Sequence, residues 1–173
     1  MKDKPKVTDF KLGSVFFVPF RDGVNGVFGY VKYDCNTRSN RKSINLPLAD
    51  IYNRVCRLDE WSEDIKKEEI KIHDMILSLV NHFHKSYFNK RPMVLTDYHT
   101  DIIHPVKYGF FKMGTKKLWY DADAKDIVYP DSDEQYREVE MALAPYDQAY
   151  IEAIFSGMTV KYGDEIPGFD RED

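Results

Sequence analysis

The sequence predicts an α+β fold, in which a bent antiparallel sheet packs against a long middle helix and C-terminal helices. A turn rich in Asp, Asn and Gly separates two apolar runs near the N-terminus, and helical spacing of apolar residues follows in the middle and again near the C-terminus. The chain has 173 residues, 43% of them hydrophobic, so we expect a single domain over 1–173. Residues 1–10 and 163–173 are expected to be loose.

The opening stretch predicts a β-hairpin. Residues 14–20 and 27–34 are apolar runs typical of strands. Between them the sequence RDGVNG contains Asp-Gly and Asn-Gly, which both favour tight hairpin turns. Gly29, inside the second run, indicates a bulge or a close approach of another backbone. A hairpin of this kind is typical of small barrels, most of which bind a partner.

The middle of the chain predicts a helix. Residues 44–59 are ambiguous between a strand and a short helix, because their apolar positions fit neither spacing cleanly. From Ser62 onwards the apolar residues lie near one helical stripe, and Ser62 is a suitable N-terminal cap. The sequence NKRP at 89–92 ends this helix. A break in it is an open alternative, since Ile70 and Ile72 also fit a short strand.

The remaining sequence predicts strands first and then helices. Residues 93–96 and 105–120 predict strands, and the second stretch contains a turn, MGTKK, that predicts another hairpin. Residues 134–144 and 146–157 predict two helices that a proline separates.

The charges are distributed unevenly along the chain. The net charge is −4, but residues 121–173 contain four basic and fifteen acidic residues. Such a segment repels nucleic-acid phosphates and attracts basic proteins, so we expect a basic protein partner and no nucleic acid. The alternative is a solvated acidic face that aids solubility.

The predicted partner-binding residues combine an aromatic pair with this acidic segment. Trp119 and Tyr120 would anchor a partner, although aromatic residues also pack in cores. The carboxylates that would steer a basic partner towards this pair are Asp121, Asp123, Asp126, Asp131, Asp133 and Glu134.

No pattern in the sequence indicates catalysis, a cofactor or a metal site. His99 and His104 could supply two imidazoles beside a carboxylate, but hydrogen-bonded or surface histidines are the favoured interpretation. The sequence DADAKD at 121–126 has lysine at the fifth position of a calcium loop and lacks the glycine that should follow. Glycine-rich phosphate loops are also absent from the sequence.

Three further features concern the compartment. Cys35 and Cys56 match no metal or redox spacing, which predicts reduced thiols in a cytoplasmic protein. The N-terminal sequence has no apolar core typical of a secretory signal. No apolar run approaches the length of about 18–20 residues that a membrane helix needs.

The opening sequence resembles that of the immunity protein 26 family of bacterial polymorphic toxin systems. Gly13, Phe16, the Val-Pro-Phe step at 18–20 and the Phe-Gly step at 28–29 stand at the family's pattern positions, and the sequence DIY at 50–52 looks like its later strand. Ser14 stands where the family usually has an acidic residue. The resemblance implies an immunity protein that neutralises a cognate toxin by occluding its active site, without catalysis of its own.

A second resemblance shares the same hairpin. PemK- and MazF-like toxin ribonucleases also open with this pattern, on an SH3-like barrel. They need a basic RNA groove, whereas Arg38 and Arg41 lie here in a loop without a clear partner and the last third of the chain is acidic. We therefore interpret the sheet as a bent sheet or partial SH3-like barrel of an immunity protein. The alternative is a ribonuclease of this kind or another small protein that acts on nucleic acid.

Overall fold

A computed structural model describes residues 5–34, 47–77, 92–107, 110–113, 116–121, 126–128, 141–143 and 148–158. These residues form two sheets and one α-helix. The strands of the first sheet are β1 (Ser14–Pro19), β2 (Gly26–Tyr33), β3 (Leu48–Cys56), β4 (Ile70–Ile76) and β5 (Val94–His99). Those of the second are β6 (Phe110–Met113), β7 (Lys116–Asp121), β8 (Asp126–Val128) and β9 (Met141–Leu143), and the helix is α1 (Gln148–Phe155).

The first sheet is antiparallel throughout, in the order β4-β3-β2-β1-β5. Its first four strands form a meander, and β5 returns to pair with the free side of β1. Every residue of β2 is buried, so both faces of the sheet are covered at its centre. A strand in this position can hold charged side chains only where their charges are compensated.

Two hydrophobic clusters cover the two faces of this sheet. The first contains Phe16, Val18 and Val31 together with Ile151 and Ala153 of α1, so α1 packs on that face. The second, which we call the aromatic cluster, consists of Val15, Phe17, Phe28, Tyr30, Tyr52, Cys56 and Ile65. The alternation of Val15 and Phe17 with Phe16 and Val18 follows the two-residue period of a strand.

The predicted N-terminal hairpin is confirmed, and its turn has a local explanation. One carboxylate oxygen of Asp22 accepts hydrogen bonds from the backbone N–H groups of Val24 and Asn25, both at 2.8 Å. Gly23 has φ = 77°, which glycine adopts without steric cost. The expected irregularity at Gly29 is also present, as a shift in the pairing of β2 with β3.

The second sheet contains the other predicted hairpin. The strands β6 and β7 are antiparallel neighbours, as the MGTKK turn predicts. The outer strands differ in direction, since β8 is antiparallel to β7 and β9 is parallel to β6.

The prediction of an α+β fold with a long middle helix is wrong. The described part of that segment contains β4, which pairs with β3 through Ile51 and Ile72 and through Tyr52 and Ile70. Asp74, in the middle of β4, has φ = 56°, a value outside the right-handed helical region. Pairing with β3 therefore decides the conformation, although the apolar residues also fit helical spacing. Residues 78–91 of the predicted helix lie outside the described residues.

The prediction of C-terminal helices packed on the sheet also needs correction. Of the residues predicted to form a helix at 134–144, the described ones form the strand β9 instead. Three residues are too few for the spacing of apolar residues to distinguish a strand from a helix. The helix predicted at 146–157 is present only as α1, which has eight residues. The described chain is thus mostly antiparallel sheet with one short helix, and none of its helices is long and apolar enough to cross a membrane.

We expect Gly29→Ala to destabilise the fold. An added Cβ would lie 2.7 Å from the Asp50 carbonyl oxygen and 2.6 Å from the Phe16 ring, and the backbone of β3 cannot move away without disturbing the sheet. The expected loss of unfolding free energy is about 1–3 kcal/mol, measured by urea denaturation. Gly157→Ala is the comparison, because nothing lies within 4 Å of its added Cβ and only its positive φ opposes the substitution. Its expected loss of unfolding free energy is about 1 kcal/mol. A Gly29→Ala protein as stable as the wild type would contradict the close approach.

Candidate functional site

The structure describes only part of the predicted binding site. Trp119, Tyr120 and Asp121 lie in β7 and Asp126 lies in β8, where Asp121 and Asp126 are directly paired. The remaining predicted residues, Asp123, Asp131, Asp133 and Glu134, lie outside the described residues.

An aromatic pair with one exposed and one half-buried ring lies at the edge of the aromatic cluster. The rings of Trp61 and Tyr98 stack with centroids 5.4 Å apart and planes 18° apart. Tyr98 is 42% exposed and Trp61 is half-buried. Beneath them the buried ring of Phe28 contacts both, at centroid distances of 5.0 Å and 6.4 Å. The pair is therefore a solvent-facing aromatic surface with a packed base.

A short 3₁₀ turn at Leu58–Glu60 positions Trp61. The carboxylate of Glu60 accepts a hydrogen bond from the backbone N–H of Arg57 at 2.7 Å, which closes the turn. The guanidinium of Arg57 also lies 3.2 Å from a carboxylate oxygen of Asp59. Because the chain leaves this turn in a fixed direction, Trp61 is brought against Phe28.

The two segments that carry the rings are acidic. These segments, 58–64 and 94–103, contain six acidic residues and no Lys or Arg. Counting the flanking Arg57, Lys66 and Lys67 still leaves a net charge of −3. We call the two rings the Trp61–Tyr98 surface. The acidic residues of their segments, all exposed, are Asp59, Glu60, Glu63, Asp64, Asp97 and Asp101.

The sequence interpretation missed this surface. Trp61 stands in the sequence LDEWSED, between acidic residues, whereas Trp119 is singled out because the pair Trp119–Tyr120 adjoins the acidic segment. Tyr98, in TDYHTD, has a similar setting 37 positions later in the chain. Only the folded chain stacks the two rings, because β5 returns to the sheet beside β1.

A buried charged network lies inside the first sheet. The ammonium group of Lys32 donates to Asp50 Oδ1 at 2.9 Å, to Asp74 Oδ1 at 2.6 Å and to the carbonyl oxygen of Pro105 at 2.9 Å. The side chains of Lys32, Asp50 and Asp74 have no solvent exposure. Since these acceptors match the three N–H donors of an ammonium group, the network joins β2, β3 and β4 with no lysine donor unused.

The same network fastens residues 100–107 to the sheet. The hydroxyl of Tyr30 donates to Asp50 Oδ2 at 2.9 Å and accepts the backbone N–H of His104 at 2.8 Å. The backbone N–H of Lys107 donates to Asp74 Oδ2 at 2.8 Å. Burial, with the nearby Asp50 charge, raises the pKa of Tyr30 well above its ordinary value, so its hydroxyl stays a donor.

The chemistry of this network is structural. Its lysine is held as a fully hydrogen-bonded ammonium ion, which has no lone pair to act as a base or nucleophile. Beside it, burial raises the pKa of Tyr52. The nearby Thr100 side chain opposes this rise, although the Tyr52 hydroxyl has no partner in hydrogen-bond geometry among the described residues.

The histidine and cysteine candidates do not form a reactive centre in the described chain. His99 lies 3.2 Å from Asp101 on the surface, whereas the ring of His104 lies against Tyr30. No group of three potential metal ligands occurs in the described ranges. Burial raises the pKa of the Cys56 thiol to about 11, so it is a weak nucleophile at neutral pH. The loop residues Cys35, Arg38 and Arg41 lie outside the described residues.

We expect Lys32→Met to destabilise the protein strongly. The substitution leaves the carboxylates of Asp50 and Asp74 buried without a counter-charge, at a cost of about 3–5 kcal/mol of unfolding free energy. Urea denaturation measures the loss. Arg54→Met is the matched control, because its pairing with Glu68 is exposed and should contribute less than about 1 kcal/mol. Equal effects of the two substitutions would contradict a buried network.

Stability should fall as the pH is lowered through the titration range of His73. Burial is the main cause that lowers the pKa of His73 in the folded protein, so below about pH 6.5 the unfolded chain binds more protons than the folded one. The contribution of neutral His73 to the free energy of unfolding is thus fully present above about pH 6.5, and it is lost as the pH falls towards the lower pKa of His73 in the folded protein. Urea midpoints between about pH 7.5 and 5 measure this, and His73→Gln should flatten the dependence. If the urea midpoint of His73→Gln depends on pH as steeply as that of the wild type, the titration of His73 is not the cause of the dependence.

No protein-family model, no curated protein and no solved structure matches this chain.

Proposed function

We propose that this protein is an immunity protein that binds a cognate bacterial toxin and neutralises it by occluding the toxin's active site. The observation that carries the proposal is the stack of the exposed Tyr98 on the half-buried Trp61, over the buried Phe28. Large aromatic side chains on a packed base are typical anchors of protein–protein interfaces. The resemblance of the opening hairpin to an immunity family supports the same function.

The charge of the surface favours a basic partner. The two segments that carry the aromatic pair contain six acidic residues, and the segment 121–173 adds a net charge of −11 to the chain. An acidic protein attracts a cationic toxin over a distance and accelerates its association. The same charge repels RNA, which argues against the alternative of a PemK- or MazF-like ribonuclease.

The rigidity of the surface supports inhibition by occlusion. Phe28 fixes the aromatic pair from below, and the buried network fastens residues 100–107, directly after β5. A preorganised surface loses little conformational entropy on binding. The predicted residues Trp119, Tyr120, Asp121 and Asp126 in the second sheet would form a second contact area, and their role stays a prediction.

Co-expression with the product of the neighbouring gene tests this function. We expect that product to arrest growth when expressed alone, and this protein to restore growth and co-purify with it in a stoichiometric complex. Tyr98→Ala should weaken rescue, because it removes an exposed anchor of the interface. The matched control is Val24→Ala, another exposed apolar residue, in the N-terminal hairpin turn.

Growth and co-purification also separate the two candidate functions. Growth arrest by this chain alone, relieved by substitution of Arg38 or Arg41, would favour the ribonuclease. A neighbour product that is harmless and does not co-purify would reject the immunity function for this gene pair.

A further inference from the structure

We propose that residues 100–107, which we call the strap, open and close as one unit over the buried charged network, and that the hydroxyl of Tyr52 opposes their closure. The strap continues directly from β5, which carries Tyr98. Its opening therefore frees the chain next to the Trp61–Tyr98 surface. The proposal goes beyond the immunity function and does not rest on it, because it concerns a motion of this protein alone.

The strap has little apolar contact of its own. No residue from 101 to 107 is buried, and none of them belongs to a helix or a strand. Both isoleucines of the strap, Ile102 and Ile103, are exposed. A segment with few buried apolar contacts opens at a lower cost in free energy than the sheet to which it is attached. The hydrogen bonds of the strap therefore decide whether it is closed.

Two of these hydrogen bonds end on charged groups of the buried network. The ammonium group of Lys32 donates to the carbonyl oxygen of Pro105 at 2.9 Å, and the backbone N–H of Lys107 donates to Asp74 Oδ2 at 2.8 Å. The side chain of Lys32 has no solvent exposure in this closed state. Since opening separates the ammonium group from one of its three acceptors, closure of the strap and dehydration of the network are one event.

Irregularities in two neighbouring strands direct these charged side chains to the strap. The pairing of β2 with β3 shifts at Lys32, and the pairing of β4 with β3 shifts at Asp74, which has φ = 56°. Such bulges re-aim side chains and are common at functional positions. Both re-aimed side chains bind the strap, so the two irregularities serve the same contact.

A buried hydroxyl beside the start of the strap gains no hydrogen bond when the strap closes. The rings of Tyr52 and Tyr30 stack with centroids 5.5 Å apart. The Tyr30 hydroxyl binds Asp50 and the N–H of His104, whereas the Tyr52 hydroxyl has no partner among the described residues. The nearby side chain of Thr100 is not in hydrogen-bond geometry with it. A buried hydroxyl without a partner costs free energy that is recovered when water reaches it, so Tyr52 favours the open strap.

Hydrogen exchange of the whole chain, followed by NMR, tests the proposal. We expect the backbone amides of His104 and Lys107 to exchange faster than the most protected amides of β2 and β3, because the strap opens without unfolding of the sheet. The amide of Lys107 is the reporter of the variants, since its own bond to Asp74 is left in place by both.

Two substitutions make the same chemical change and should act in opposite directions. Tyr52→Phe removes a hydroxyl without a described partner, so it should slow exchange at Lys107 about fivefold. Tyr30→Phe is the matched comparison in the stacked ring. It removes the acceptor of the His104 N–H, so it should accelerate exchange at Lys107 about fivefold if the strap opens as one unit.

Three results would overturn the proposal. If Lys107 exchanges no faster than the β2 and β3 amides in the wild type, the strap and the sheet open together. If Tyr52→Phe leaves exchange at Lys107 unchanged or accelerates it, the Tyr52 hydroxyl does not oppose closure. If Tyr30→Phe changes exchange at His104 alone, the strap does not move as a unit. None of these results bears on the immunity function, which the co-expression experiment tests separately.

Discussion

The ammonium group of Lys32 lies between two carboxylates without access to solvent, and the first sheet depends on this contact. An isolated charge in such a place would be very costly, so Asp50 and Asp74 must both face Lys32. A shift of one residue in the pairing of β2 with β3 or of β3 with β4 would turn a charged side chain to the opposite face. The network therefore specifies the register of three strands, whatever its net contribution to stability.

The same contact connects the interior of the sheet to its candidate binding surface. The carbonyl of Pro105 completes the coordination of Lys32, and the backbone N–H groups of His104 and Lys107 bind Tyr30 and Asp74. At the other end of this segment, the Thr100 N–H donates to the Gly13 carbonyl at 2.9 Å. These bonds fix the chain directly after Tyr98, so the aromatic pair is held from two sides: by Phe28 beneath it and by the fastened segment.

Buried and exposed carboxylates have different roles in this protein. Those of Asp50 and Asp74 are neutralised by a lysine of the same sheet, and their hydrogen bonds are directed inwards. The carboxylates of the two segments that carry Trp61 and Tyr98 are exposed, so their charges cost little desolvation.

The sequence by itself determined the features that depend on neighbouring residues. Asp22 and Gly23 specify the N-terminal turn, Gly29 marks the close approach of β3, and the MGTKK turn specifies the β6–β7 hairpin. It did not determine β4, because the apolar residues after Ser62 fit both helical and strand spacing and only pairing with β3 decides between them. Nor did it reveal the charged network, whose residues lie 18 and 42 positions apart, or the stack of Trp61 on Tyr98. These were decided by the tertiary structure, since compensation of a buried charge and stacking of distant rings exist only once the strands have paired.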